Sequence, residues 1–446
     1  MYRVRCPGWD WCEGGARLDE LAQLEKDVGE IMALAGQHGL DHYDMRFEIC
    51  PSEVLYSFGA YGMPTRFGHW SFGKTFQRIK MEYDHKLSRI YEMVINTDPC
   101  YAFLLRDNTR VQNRLVVAHV LAHSDFFKNN IYFARTPRTM LETMAASARR
   151  IRDYEQFFGR EQVEGFLDAV LAVQEHVDPL RYRAAARQPV APQGQSATFG
   201  WTAPVPAVPA KDLLGFILRL GGGLEDWQRD IVGIVRRESL YFWPQFTTRI
   251  CNEGWATYWH LKIMRGLNLT EEDTIEFARM HAKLTQPSQV DVNPYLLGSA
   301  IFRDIERRLG HEAVFEVRAT CDDVGLLRNH LTPELVRELD LFVFRKVGYE
   351  WRVVDKNWRV VRDTLIENRF NCGHPYIMVE TGDFNRQGEL YLKHYYEGLE
   401  LDVPYLEKTL VLVHRLWGRP VHLETVLESK GVVFSFYGDR VGKRFL

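Results

Sequence analysis

Leu115-Val-Val-Ala-His119-Val-Leu-Ala-His123-Ser-Asp-Phe-Phe127 is apolar at almost every position yet carries two imidazoles four residues apart. A 3.6-residue period places positions i and i+4 on one face, so the stretch reads as a buried helix with both histidines on one stripe. Two buried neutral rings need polar partners, and one metal ion at about 2.0–2.1 Å from each nitrogen would satisfy both. In the zinc-peptidase motif HExxH the second position holds the catalytic glutamate. That position is Val120 here, so the ligand half of the motif stands without its base.

A second stretch, Asn252-Glu253-Gly-Trp-Ala-Thr-Tyr-Trp-His260, complements the first. Glu253 and His260 lie two turns apart on one helix face. HExxH enzymes of the gluzincin type take a third ligand from a glutamate on a later helix, in a context similar to Asn-Glu-Gly-aromatic-Ala. Gly254 and Ala256 leave room for a closely packed neighbour. A glutamate among aromatics is costly to bury unless it is paired or ligating. Arg249, four residues earlier, offers a purely structural pairing. His119, His123, Glu253 and His260 are therefore the candidate ligands of a divalent metal, zinc first and iron second.

Weaker signals surround these. Glu82-Tyr-Asp-His85 has the Glu-x-x-His spacing of carboxylate-bridged di-metal bundles, though such a site needs two copies. His281 is a further candidate beside the metal; a lone histidine is more often a hydrogen-bonded core residue. Asn252 adjoins Glu253. Lys128, with Asn129 and Asn130, reads equally as an anion contact or a helix cap. With Val120 at the base position, Asp125 and Glu238 are the candidate catalytic bases.

Outward from these segments, helical periodicity covers 16–37, 75–92, 108–127, 137–158, 160–176, 211–220, 224–239, 244–266, 271–284, 294–309 and 311–346. Asp322-Asp323 and Leu331-Thr-Pro-Glu334 interrupt the last, with Thr332 as N-cap and Pro333 at the first helical position. Residues 56–74, rich in glycine and aromatics, read as a packed loop. Five prolines within 188–210 mark a linker or surface excursion. After Gly348 the pattern changes to strand 351–355, helix 357–368, strands 376–380 and 389–395, helix 404–417, and strands 421–426 and 432–437. The expected fold is mainly α: a large multi-helix domain in two parts, 1–187 and 211–347, and a small C-terminal α+β domain, 348–446, of split βαβ, ferredoxin-like order.

Composition excludes other classes. At 446 residues with 46% hydrophobic and 13% aromatic side chains, the chain must bury large cores. Lys+Arg 56 against Asp+Glu 59 gives a net charge of −3, with no basic field for nucleic acid. No apolar run reaches the roughly 20 residues of a membrane span. Seven scattered cysteines without a CxxC fit reduced thiols. The polar N-terminal stretch and these thiols point to the cytoplasm.

Several motifs occur in a familiar order: Gly62-Met-Pro, His69-Trp-Ser-Phe-Gly-Lys74, Tyr91-Glu-Met-Val-Ile-Asn96, His119-x-x-x-His123-x-x-Phe-Phe-Lys-Asn-Asn130, Trp227-Gln-Arg-x-Ile231, Asn252-Glu-Gly-Trp-Ala-Thr-x-Trp-His260, Asn293-Pro-Tyr-x-Leu-Gly298 and His414-Arg-Leu-Trp-Gly418. Together they resemble the SpoVR family, stage V sporulation protein R, from about residue 16 to about 420. The resemblance implies a cytoplasmic bacterial protein linked to spore cortex formation. It also implies, as associates, a serine protein kinase and a von Willebrand-type-domain protein. It gives a process and not a reaction. Two functions follow from the residues: a metal-dependent hydrolase lacking the usual HExxH base, with redox chemistry at iron as a variant, or a regulator or scaffold with a structural metal, which Val120 favours.

Overall fold

The computed structural model describes residues 3–5, 15–84, 92–179, 209–288, 292–348 and 350–446. The fold is mainly α, with a small C-terminal α+β element built on a five-stranded sheet. The chain divides into two compact units, residues 1–145 with 244–370 and residues 146–243 with 371–446.

The first unit is built around the helix Arg110–Asn129, which is buried all round from Arg114 to Phe127. A helix apolar on every side belongs in a core. The helices Gly15–Gln37, Arg249–Gly266 and His311–Thr320 pack against it. A four-stranded sheet lies beside them in the order Arg3–Arg5, Met45–Cys50, Cys100–Leu105, Glu92–Ile95, the first three parallel. Helical periodicity alone gave no strand in this region. Six-residue strands are short against the helices that flank them, and Cys100-Tyr-Ala-Phe-Leu-Leu105 is a buried run without alternation.

Two other expectations change here. Residues 56–74 are not one loop: Ser52–Tyr61 and Trp70–Asp84 are helices, joined through Gly62 in the left-handed region (φ 75°). Burial of Leu55, Tyr56, Phe67 and Phe72 outweighs the roughly 1 kcal/mol that each helical glycine costs. Residues 311–346 break where Asp322 and Thr332 cap new helices, and they end in a hairpin of Val343–Val347 with Glu350–Asp355. That hairpin belongs to the first unit, so the C-terminal sheet begins later than residue 348.

In the second unit the strand order is Val441–Phe445, Lys430–Phe436, Val421–Leu427, Glu389–His394, Ile377–Phe384. Helix Val403–Trp417 links Glu389–His394 to Val421–Leu427, and these two strands are direct parallel neighbours. The split βαβ order is therefore corrected: no strand inserts between them, and sequence-adjacent hairpins build the sheet on both sides. Helix Arg160–Leu171 packs on Val403–Trp417, and helix Leu213–Leu220 packs on the strand Ile377–Phe384, with Phe216 stacked on Trp417. One apolar sheet face must be buried, and these helices bury it. That is why residues 146–243 group with the C-terminal sheet instead of with the other helices. The stretch 188–210, apart from its last two residues, lies outside the described residues. So do Cys6, Cys12 and His85. The five described cysteines are free thiols. No helix among the described residues is long and apolar enough to cross a membrane.

One buried carboxyl gives this fold a pH signature. Asp323 accepts from the Cys251 N–H at 2.9 Å, capping the start of helix Arg249–Gly266, where Thr248 makes no side-chain cap of its own. Burial pushes its pKa up from 3.8 to about 7, against the pull of the Cys251 and Ile250 amides and Arg369. The folded chain thus holds a proton that the unfolded chain releases, so Asp323 makes stability fall as pH rises from about 4 to about 7. Asp323→Asn, which keeps the acceptor, should flatten that limb of a pH series of thermal melts. An unchanged slope would show that other groups carry it.

Candidate metal centre

Thr109 starts the helix Arg110–Asn129 with a reciprocal capping box: its hydroxyl accepts from the Gln112 N–H and the Gln112 side chain accepts from the Thr109 N–H. One turn in, Arg114 is buried and donates to Asp27 at 2.7 Å, while Arg110 donates to the same carboxylate through two nitrogens at 2.8 Å. Burial would raise the Asp27 carboxyl; the two guanidiniums hold it down at about 2. This ion pair fixes the helix beyond which His119 and His123 follow.

The helix Arg249–Gly266 crosses the helix Pro294–Leu309 backbone to backbone. A Cβ on Gly298 would stand 2.6 Å from the Gly254 Cα, and closer still to the Ile250 carbonyl oxygen. The glycine foreseen at 254 thus has its counterpart at Gly298. The rest of the Asn293-Pro-Tyr-x-Leu-Gly298 motif starts that second helix: Asn293 accepts from the Tyr295 and Leu296 N–H groups, and proline takes the first turn. Trp255 and Tyr258 pack on Phe302, and Trp255 and Trp259 pack on Phe315. The helix carrying Glu253 is therefore fixed in depth and rotation by an aromatic layer on its far side.

Against that frame His119, His123 and Glu253 converge. His119 Nε2 lies 3.6 Å and His123 Nε2 3.4 Å from Glu253 Oε2, and a ligand atom from each residue falls within 4.8 Å of both others. Four ligands at about 2.1 Å around a tetrahedral ion stand about 3.4 Å apart. The Glu253 Oε2 atom is buried and makes no well-formed hydrogen bond, a feature that one shared ion would account for. His119 and His123 are 2% and 6% exposed against 22% for the Glu253 side chain, so the point is reached from the glutamate side. Burial would raise the Glu253 carboxyl, but His123 and His119 bring it well below its ordinary range. This group could hold a metal ion.

The atoms behind the two imidazoles suit that reading. His123 Nδ1 donates to Asn252 Oδ1 at 2.9 Å, which leaves Nε2 with a lone pair toward Glu253. His119 Nδ1 faces His260 Nδ1 at 2.9 Å, and His260 Nε2 faces His281 Nδ1 at 3.0 Å. Burial, and then the neighbouring rings, push the His260 pKa well below 6.5, so the ring is neutral with one N–H. If His119 Nδ1 donates, the hydrogen bonds run outward through His260 to half-buried His281.

The structure treats the remaining candidates differently. His260 is not at the shared point. Seven residues return it to the Glu253 face but about 10 Å further along the axis, which puts it behind His119. Asp125 follows His123 by two residues, about 200° around the helix, and faces the other way. It accepts from the Asp41 N–H at 2.7 Å and the Trp255 indole at 2.9 Å, with Arg318 at 3.4 Å, so it braces the helices on that side. Lys128 is exposed and pairs with Asp41. Asn129 donates to the Asp125 and Asp41 carbonyls, and Asn130 to those of Arg318 and Cys321. The cap reading of that segment accounts for these contacts. Arg249 is exposed. Glu238 is buried and belongs to the second unit. Glu82 falls in the helix Trp70–Asp84, its side chain outside the described ones. Gly298 had no reading from spacing alone, and the hydrogen-bonded order of His260 and His281 had none either.

Known proteins resemble the chain over almost its full length. A family model described as SpoVR like protein matches residues 19–199 and 185–374. One described as SpoVR-like C-terminal domain matches residues 375–428, starting close to where the chain re-enters the second unit. A protein of Escherichia coli (strain K12), named Uncharacterized protein YcgB, is 29% identical over 477 residues, which span 92% of this chain and 93% of its own. No solved structure matches.

Proposed function

This chain belongs to the SpoVR family, and from that premise we propose that it is a metal-dependent protein of hydrolytic type, with His119, His123 and Glu253 holding one divalent ion. The observation that carries this reading is the convergence of the two Nε2 atoms and Oε2 at 3.4–3.6 Å. The donor set suits zinc first and iron second. A bound ion of this kind supplies Lewis acidity, polarising a carbonyl and acidifying water. The chain's own contribution is placement. Asn252 holds the His123 ring, His260 and His281 hold the His119 ring, and Phe127 stacks on the His123 ring at 6.2 Å on a helix buried all round.

Val120 and the fully bonded Asp125 favour a second reading, in which the ion is structural and the chain regulates or scaffolds. The family name links the chain to sporulation. Spore cortex formation is the proposed process, in the cytoplasm, with a serine protein kinase and a von Willebrand-type-domain protein as proposed associates.

Metal analysis by mass spectrometry, after purification and after reconstitution with zinc or iron(II), tests the site. One ion per chain is expected. His260→Leu should weaken affinity about 10–100-fold, the range for residues that orient a ligand, and His260→Gln, able to accept from His119 and donate to His281, should recover most of it. No retained metal under any loading would end the proposal. A loaded chain that turns over peptide and ester panels no faster than the metal-stripped chain would leave the structural-ion reading.

A further inference from the structure

A second group of chemically organised side chains lies in the second unit and is independent of the metal proposal. Ser435, His422 and Glu389 stand on three adjacent strands, Lys430–Phe436, Val421–Leu427 and Glu389–His394. Ser435 pairs directly with His422 across the antiparallel ladder. Its Oγ lies 2.8 Å from His422 Nδ1, and His422 Nε2 lies 3.0 Å from Glu389 Oε2. His422 is 2% exposed and Glu389 5%.

The order of these contacts fixes their chemistry. An ionised carboxylate only accepts, so His422 carries its proton on Nε2 and leaves Nδ1 as a lone pair. The serine hydroxyl is then the donor and the imidazole its base. Glu389 is itself held: Asn385, in a turn with Arg386 where both have φ 57°, donates to Oε2 at 2.9 Å. Nucleophile, base and orienting carboxylate are thus connected in sequence, the relation by which such triads are recognised whatever the fold. Phe384, Tyr391 and Tyr437 surround the imidazole at ring distances of 5.0, 6.2 and 5.6 Å, and Tyr437 is 61% exposed.

Gly442 lies opposite Ser435 on the outer strand. Its φ is not positive, so the backbone does not demand glycine there. A Cβ would meet only the Ser435 carbonyl oxygen, at 3.8 Å. The missing side chain keeps the approach beside half-buried Ser435 open.

We propose that Ser435, His422 and Glu389 form a metal-independent nucleophilic site that accepts acyl groups from small carboxylic esters. Ser435 Oγ forms the bond to the acyl carbon as the ester C–O bond breaks. The serine proton passes to His422 Nδ1 and on to the departing alkoxide. Water, deprotonated by the same nitrogen, then releases the carboxylic acid and restores the serine. Glu389 acts as a positioning residue through Nε2.

The test uses the full chain stripped of metal with EDTA, treated with a fluorophosphonate probe and mapped by peptide mass spectrometry. Ser435 should carry the label, with fluoride released, and Ser435→Ala should carry none at that position. His422→Gln should slow labelling about 100-fold or more, the scale of a lost general base. With p-nitrophenyl acetate, Glu389→Gln should lower the limiting acylation rate and leave the half-saturating concentration unchanged, a split that loss of mere packing would not give. An unlabelled Ser435 in the native chain overturns the proposal. So does labelling at the native rate in a His422→Gln chain with native circular dichroism.

Discussion

Glu253→Gln is expected to abolish the stabilisation that zinc or iron gives the chain and to cost the metal-free protein a smaller part of its stability. Glutamine keeps the shape of the side chain and removes the anionic oxygen that faces both imidazoles at 3.4 and 3.6 Å. A ligand that binds only the folded state stabilises it by about 4 kcal/mol at a thousandfold excess over its dissociation constant. Losing one of three protein ligands should cost more than the 10–100-fold associated with residues that merely orient a ligand, so most of that stabilisation should vanish at the same metal concentration. Without metal a smaller loss remains: His123 and His119 hold the Glu253 carboxyl well below its ordinary range, so its ionised form favours the folded chain, and the neutral amide forfeits that contribution. Thermal melts of both chains with and without metal check both halves. A native chain that shows no metal effect, with the same loss on Glu253→Gln whether or not metal is added, would identify Glu253 as a structural partner of the histidines only and remove the site.

The second large effect is expected at Gly298. Gly298→Ala adds a Cβ whose nearest neighbours are backbone: the Ile250 carbonyl oxygen and, at 2.6 Å, the Gly254 Cα. Backbone atoms cannot rotate away as a side-chain end can, so the helices Arg249–Gly266 and Pro294–Leu309 must part. Overpacking of a tight core costs about 1–3 kcal/mol and occasionally more, and this contact belongs at the upper end. Alanine's better helix propensity returns about 1 kcal/mol. The expected net loss is about 2 kcal/mol, together with weaker metal binding, because Glu253 sits beside Gly254 on the displaced helix. Gly233 is the internal control. It lies in the helix Asp226–Thr247 with nothing within 4 Å of its Cβ position, so Gly233→Ala should stabilise by about 0.5–1 kcal/mol. Equal melting shifts for the two substitutions would show that the crossing is looser than the contact implies.

Sheet topology shows where reading by periodicity stops. The five strands after residue 370 have strong alternating or β-branched patterns, and four of them were foreseen within a few residues. Their order was not, because a strand's pattern states which face is buried and not which strand lies beside it. The parallel neighbours Glu389–His394 and Val421–Leu427 and the hairpins on either side follow from connections that bury one common face. The Ser435–His422–Glu389 contact depends on that order and left no mark at sequence level.

What the sequence determined by itself is the local and periodic part. The apolar run around His119 and His123 dictates a core helix with both rings on one stripe, and Asn252-Glu253-Gly254 dictates a second helix fit for close packing. Those two facts suffice to name three residues that converge. Tertiary structure decided what spacing cannot encode: the depth of one helix against another, and which residue faces which. Glu253 and His260 share a face, but a rise of about 10 Å between them gives one to the convergence point and the other to the back of His119. Asp125 looked available in sequence and is consumed by Asp41, Trp255 and Arg318, whose positions come from three distant parts of the chain. A helix period fixes direction around an axis; only packing fixes position along it.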